Sequence, residues 1–301
     1  MGVQAARTNA DARACFERAS AVLGYDLLRL CESGNEEELR DTRISQPAIF
    51  TANVAIYQTI KPLGLTPLVS AGHSFGEYCS LTIAGALAFD EAVNLVNQRG
   101  LAMGEAADVA PGAMAAIIGF DDAKVRALCE QARAQSGARV DVANLNAPVQ
   151  IVVSGDVAGV QAACDLAKEA GAKRVVMLNV SGAWHSELMR PAIARFAPHV
   201  RNAPMRLPDF TVIGNVDAAR YASVERIREC LIASLCSRVR WHETSEAVAA
   251  CKPDLIVECG ATRVLAPMIA RLPGVDGDRV VHVADAAGVT KLAAAMEKIP
   301  A

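Results

Sequence analysis

Thr66-Pro67-Leu68-Val69-Ser70-Ala71-Gly72-His73-Ser74-Phe75-Gly76-Glu77-Tyr78-Cys79 places an apolar run, a serine between two glycines and the opening of a helical pattern in immediate succession. Thr66 to Ala71 reads as a buried strand and Glu77 to Ala84 as the start of a helix, with Ser74 on the turn between them. A strand-to-helix turn that sharp pushes the serine hydroxyl out of the sheet. It calls for residues without bulk two before and two after the serine, here Gly72 and Gly76. The following helix aims its first free N–H groups, and the positive end of its dipole, at whatever oxygen Ser74 attacks. Gly, Ala and Ser are abundant in this chain, so the five-residue pattern alone also fits a chance match; the strand before it and the helix after it favour a nucleophile elbow.

The chain has 301 residues, enough for one large domain, or one large and one small, with an ample core. A hydrophobic share of 52% and a charged share of 21% exclude disorder. No apolar stretch approaches the roughly 18 residues of a membrane span. A net charge of −3 gives no general pull toward nucleic acid. The nine cysteines are scattered, without the paired spacings of a zinc site or redox centre, so no metal is expected. They read as reduced core residues of a cytoplasmic protein, and Met1 to Arg7 has no hydrophobic signal core. A monomer is expected.

The order of elements suggests two units. The first 45 residues read as helical, a long helix runs from about Gln46 to Ile60, and Lys61-Pro62-Leu63-Gly64 breaks it. Asp90 is a candidate N-cap for a helix through Met103. From about Gly112 the rhythm becomes strand (Met114–Ile118), helix (Ala123–Ala134), strand (Val140–Asn144), strand (Val149–Val153), helix (Val157–Ala170), strand (Arg174–Val180). That order is the split ferredoxin-like unit. Afterwards longer alternations return, with strands expected at Phe210–Ile213 and Leu255–Glu258 and helices at Ser223–Ser234, Trp241–Ala250 and Val264–Ile269. The reading is an α/β-hydrolase-like parallel-sheet domain, residues 1–110 and 182–301, with a ferredoxin-like βαββαβ insert at 111–181.

A serine hydroxyl needs a base to take its proton. His73 adjoins Ser74, but successive elbow residues point different ways, so it reads as a strut or pocket wall. His199, His242 and His282 sit on charged or loop-like stretches and read as surface residues. His185, in Val180-Ser181-Gly182-Ala183-Trp184-His185-Ser186, lies where the chain leaves the insert, a loop position suited to a site. Its competing reading is a cap for a helix starting near Glu187.

Gly72-His73-Ser74-Phe75-Gly76-Glu77-Tyr78, Asn97-Gln98-Arg99-Gly100, Gly112-Ala113-Met114-Ala115-Ala116-Ile117-Ile118-Gly119 and Ala183-Trp184-His185-Ser186 together resemble malonyl-CoA:acyl carrier protein transacylases and the free-standing acyltransferases of polyketide synthases. The likeness runs from about Cys15 to Leu265. It implies a transferase with malonyl-CoA and acyl carrier protein as partners, no cofactor, and a covalent malonyl-Ser74 intermediate formed with His185 as base. It further implies the Phe75 N–H as oxyanion donor and the Ser234 carbonyl, where the family often has Gln, as the group orienting His185. Arg99 would bind the malonyl carboxylate through a two-pronged charged contact; the competing reading is a solvent-facing arginine at a helix end. Trp184 would exclude a methyl branch at the acyl α-carbon. Asn144 and Asn146 resemble an asparagine-containing strand end near the family's site, with a structural turn as the simpler reading. Lys173 and Arg174 match a basic place where acidic carrier proteins dock, and equally a solvated turn.

One departure stands out. The family normally opens with a short strand and a Gly-Gln-Gly-Ser-Gln loop whose first glutamine N–H is the second oxyanion donor; Met1 aligns after that loop, and Gln4 does not replace it. Loss of one such donor costs on the order of 10²–10³ in rate, and loss of the strand leaves part of the sheet uncovered. A start upstream of Met1, a substitute segment and a weakened site all remain open. Two other functions compete: a trans-acting hydrolase that clears acyl groups from carrier proteins, disfavoured by Arg99, and a non-catalytic carrier-protein-binding subunit.

Overall fold

The computed structural model describes residues 1–299. Helices Val3–Thr8, Ala10–Leu23, Leu27–Ser33 and Glu36–Arg40 occupy the N-terminal region as expected. Asn9, Asp26 and Asn35 cap the last three, each side chain accepting a backbone N–H of the first turn. The long helix is Thr42–Ile60, starting before Gln46 because Asp41 caps it at the Arg43 N–H. It packs against helix Phe89–Val109. Asp90 does not cap that helix; Ala88 is its N-cap, and Asp90 lies in the first turn, paired with Arg18 at 2.9 Å. The two long helices approach closely where Phe89–Val109 lacks side chains: a Cβ on Gly100 would sit 2.7 Å from the Thr42 carbonyl oxygen, and one on Gly104 2.6 Å from Arg43 Nε.

Among the described residues eight strands follow in chain order: β1 (Val69–Ala71), β2 (Gly112–Ile118), β3 (Val140–Ala147), β4 (Gln150–Asp156), β5 (Arg174–Met177), β6 (Thr211–Ile213), β7 (Ile256–Cys259) and β8 (Val280–Val283). The parallel strands form two pairs rather than one sheet. β1 pairs with β6, Val69 opposite Thr211 and Ala71 opposite Ile213, and β7 pairs with β8, Ile256 opposite Val280. Residues of β1 and β7 both line a cavity of about 840 Å³ that reaches Ser74 and Phe75. β8 and the helix Ala286–Met296 were not legible in the sequence.

The insert is an antiparallel sheet in the order β3-β4-β2-β5, with helices Asp122–Ser136 and Val157–Glu169 on one face. Ala115, Ile117, Ile151 and Val153 alternate onto that helical side and close a core with Val125, Leu128, Val160 and Ala163. Met114, Ala143 and Val152 point the other way, toward Trp184. β3 is also stitched to the main body: Leu145 N–H donates to the Val239 carbonyl and Val239 N–H to the Ala143 carbonyl, both at 2.8 Å. An Arg238–Asp122 ion pair at 3.1 Å adds a second link. The described residues contain no helix long and apolar enough to cross a membrane. All nine cysteines are free thiols, six of them buried.

The elbow joins β1 to helix Gly76–Ile83. Gly72 is required there because the turn folds back on itself: a Cβ at Gly72 would lie 2.0 Å from the Gly76 carbonyl carbon. Gly76 differs, since a Cβ there meets nothing within 4 Å. The steric demand therefore falls on the first glycine alone. Gly72→Ala is expected to lower stability by at least about 1–3 kcal/mol, the usual range for forced overpacking, and to displace Ser74. Urea unfolding checks it, and wild-type stability would contradict this account of the turn.

Candidate active site

Ser74 sits at the tip of the elbow with φ 54°, the left-handed region that non-glycine residues rarely adopt. Asn215, just past the end of β6, holds it there. Asn215 Oδ1 accepts the Ser74 N–H at 2.7 Å, and Asn215 Nδ2 donates to the Gly72 carbonyl at 2.6 Å. The amide thus extends the β1–β6 pairing into the turn, bonding the backbone as a neighbouring strand would. Asn215 is 1% exposed, so both bonds form away from water.

Ser74 Oγ lies 2.8 Å from His185 Nε2, and His185 Nδ1 lies 2.8 Å from the Ser234 carbonyl oxygen. A carbonyl only accepts, so Nδ1 carries the proton and Nε2 is free to take the serine's. Ser234 follows helix Val224–Ala233, so the orienting oxygen belongs to a helix C-terminus, whose negative end favours a developing imidazolium. His185 is itself left-handed, φ 60°. It is not the cap of the turn at Glu187–Met189; Ser186 is, its side chain accepting the Leu188 N–H. Burial, reinforced by the Arg99 charge and resisted by the Ser234 carbonyl, depresses the His185 pKa to about 3.

Arg99 is buried in the interior of helix Phe89–Val109, not at a solvent-facing helix end. Its Nη2 reaches Ser74 Oγ at 3.4 Å, and Nη1 donates to Gln46 Oε1 at 2.7 Å. No carboxylate pairs with it among the described residues. The Phe75 N–H stands at the N-terminus of helix Gly76–Ile83 and donates to no protein acceptor among the described residues. His73 points away from Ser74: its Nε2–H donates to Asn146 Oδ1 at 2.9 Å, Asn144 Nδ2 packs at 3.3 Å, and its ring lies 5.6 Å from that of Trp241. His73 therefore ties the elbow to β3 of the insert, and Asn146 also lines the cavity that reaches Ser74. Trp184 is half-buried, its ring folded over Gly182 beside the inner face of the insert sheet. Lys173 and Arg174 are exposed at the start of β5, on the sheet end that also carries the β3–β4 hairpin of Asn146. The remaining histidines stay outside the site. His242 faces Glu246, and His282 is no loop residue but part of β8, bonded to the Gly260 carbonyl at 2.8 Å.

Three buried polar residues near the elbow escaped the sequence reading: Asn215, Gln46 and Glu77. Glu77 accepts a short hydrogen bond from the Tyr221 hydroxyl. Burial pushes its pKa up to about 8, although the Asn215 N–H and Arg99 pull the other way. Asn215 alone carried a usable signal, its place just beyond the carboxyl end of an expected strand, where α/β proteins build sites.

The chain matches the acyl transferase domain family over residues 1–277. It is 41% identical over 261 residues to the malonyl CoA-acyl carrier protein transacylase of Haemophilus influenzae, covering 86% of this chain and 83% of that one. Among solved structures, the malonyl CoA-acyl carrier protein transacylase of Coxiella burnetii superposes with a TM-score of 0.92 at 37% identity, over 98% of this chain and 92% of that one. A malonyl-transacylase solved in complex with the holo acyl-carrier protein of a type II polyketide synthase gives a TM-score of 0.90 at 36% identity, over 98% and 94%.

Two outcomes follow from this geometry. Asn215→Ala should cost about 1–3 kcal/mol in stability, because Gly72 and Ser74 keep buried polar groups without partners. It should slow acylation of Ser74 by more than about tenfold, with Asn215→Asp intermediate since it can still accept the Ser74 N–H. An alanine variant acylated at the wild-type rate would remove Asn215 from the site. The second concerns pH. The unfolded chain protonates His185 below its ordinary value of 6.5 while the folded protein resists to about 3. His185 therefore makes folding stability fall as pH drops through that window, as does His73, whose pKa is also lowered by burial. His185→Gln should flatten this acid-side decline in urea unfolding run from pH 7 to pH 4; an unchanged slope would show that His185 titrates normally.

Proposed function

The chain belongs to the acyl transferase domain family, and from that premise we propose that it moves a malonyl group from coenzyme A to the phosphopantetheine thiol of an acyl carrier protein through a malonyl-Ser74 intermediate. The observation that carries this reading is the convergence on one atom: Ser74 Oγ is within hydrogen-bond reach of a neutral imidazole at 2.8 Å and close to a buried guanidinium at 3.4 Å.

In the first half-reaction His185 Nε2 takes the Ser74 hydroxyl proton as Oγ attacks the thioester carbonyl. The Phe75 N–H, backed by the positive end of helix Gly76–Ile83, stabilises the oxyanion. The C–S bond breaks, His185 returns the proton to the departing coenzyme A thiolate, and the malonyl ester remains on Ser74. The carrier-protein thiol then gives its proton to His185 and attacks the ester, and Ser74 leaves with that proton. No triad acid is needed, because the Ser234 carbonyl fixes the imidazole. Arg99 receives the malonyl carboxylate through two charged hydrogen bonds, while an acetyl group leaves that cation unpaired. Trp184 bounds the acyl pocket, and His73 with Asn146 holds the elbow against the insert. Lys173 and Arg174 form a cationic edge for an acidic carrier protein. Residues 1–110 and 182–301 would make up the catalytic body and 111–181 the insert, and the free thiols suit a cytoplasmic enzyme.

Intact-mass measurement after mixing with malonyl-CoA tests the reading. A stable gain of one malonyl unit is expected in the wild type and none in Ser74→Ala. In Arg99→Ala the malonyl:acetyl acylation ratio should fall about 10–100-fold, the worth of a hydrogen bond to a charged group. Rapid turnover of acetyl with no malonyl adduct would instead indicate a hydrolase, and no adduct with any thioester a binding subunit.

A further inference from the structure

The Arg99 guanidinium is enclosed with neutral partners only. Nη1 bonds Gln46 Oε1, Nη2 approaches Ser74 Oγ, and Nε has no partner among the described residues. Gln46 is 2% exposed and rigidly placed: its Nε2 donates to Thr42 Oγ1 at 2.7 Å and lies 3.5 Å from Met103 Sδ. Because a guanidinium only donates, the amide oxygen must face Arg99, and the Thr42 contact holds that orientation. Gly100, adjacent to Arg99 in sequence, admits the Thr42 backbone against its helix and so brings Gln46 within reach. A buried cation normally carries an anionic partner, since the unpaired charge is costly away from water. A glutamate at position 46 would have the same reach and would supply that anion. This chain has the amide. Nor does Glu77 fill the role, with its carboxyl engaged by Tyr221 and held largely protonated at neutral pH by burial.

We propose that Gln46 is a specificity-determining positioning residue: it holds the Arg99 fork at Ser74 while withholding a negative charge, so that the carboxylate of the acyl group is the anion that completes the site. The inference rests on the malonyl reading of Arg99. It assigns selectivity to the neutrality of a side chain that does not itself contact the substrate.

Ser74 acylation by malonyl-CoA and by acetyl-CoA, followed by rapid quenching and intact mass across a range of thioester concentrations, tests it in the full-length protein. In Gln46→Glu the malonyl:acetyl ratio of kcat/KM should fall about 10–100-fold, the worth of a hydrogen bond to a charged group, with the malonyl loss expressed mainly as a raised KM. Gln46→Met preserves bulk and neutrality but cannot accept from Arg99, so its ratio should fall less than that of the glutamate variant. A ratio within twofold of wild type in Gln46→Glu, or equal losses in the two variants, overturns the proposal. Thermal unfolding shows whether both variants fold. Should the glutamate variant not fold, an unchanged malonyl KM in Gln46→Met overturns the proposal and a raised one supports it. Wild-type protein that forms no malonyl adduct, or Arg99→Ala with an unchanged ratio, defeats the malonyl reading itself; success of both with failure at Gln46 defeats only this inference.

Discussion

A backbone held in an unfavourable conformation is the constraint on which the site depends. Ser74 at φ 54° stands clear of the sheet only because the chain closes tightly at Gly72 and because Asn215 bonds both the Gly72 carbonyl and the Ser74 N–H. Strain of this kind, on the order of 1–3 kcal/mol, persists where surrounding bonds over-determine the geometry. The clasp comes from just past the end of the strand neighbouring β1, so the β1–β6 pairing and the shape of the turn are one arrangement. His185 repeats the pattern, with φ 60° and a helix-terminal carbonyl fixing its ring. Both members of the dyad are thus set by groups distant in sequence and near in the fold.

The electrostatics follow from the same enclosure. Burial alone disfavours charge on His185 and on Glu77, and it acts in opposite directions on their pKa values, lowering the base and raising the acid. Arg99 is the exception, since a guanidinium keeps its proton even when burial works against it. The free site therefore carries net positive charge beside a neutral base. A carboxylate seated on Arg99 would offset the second-largest of the influences that depress His185, after burial. On the proposed malonyl reading the base would then accept the serine proton more readily with a carboxylate-bearing acyl group present than without one, which would place part of the selectivity in the chemical step and not only in binding.

Much of this was legible in the sequence because it rests on local signals. Gly72 and Ser74 announce a tight turn between a strand and a helix, and the strand-helix alternation of residues 112–177 reproduces the order of the insert's elements. Element ends moved where a cap decided them: Asp41 rather than Gln46 opens the long helix, and Ala88 rather than Asp90 begins the next. β8 was missed because it is only Val280 to Val283, framed by acidic residues and a 3₁₀ turn, too short for a period to show. Gln46, Glu77 and Asn215 were hidden for a different reason. Each is a polar residue whose meaning lies in a partner across the fold, at sequence separations of 53, 144 and 141 residues; no local pattern distinguishes Gln46 and Glu77 from a solvated helix face, and Asn215 is marked only by its place just past an expected strand.

On the proposed malonyl reading, those hidden polar residues also explain how a site selective for an anion coexists with a stable core. Leaving Arg99 without a counter-ion costs stability, and a single change at position 46 to an acid would relieve it. The same change would satisfy the guanidinium internally and remove its preference for a carboxylate-bearing acyl group. In that proposal selectivity is the difference between two occupied states of Arg99, one with substrate anion and one without, and only a neutral neighbour keeps that difference large. Stability and the proposed specificity therefore pull in opposite directions on the Arg99–Gln46 pair, and the amide at Gln46 would resolve the conflict by fixing the geometry of the cation while leaving its charge unmet.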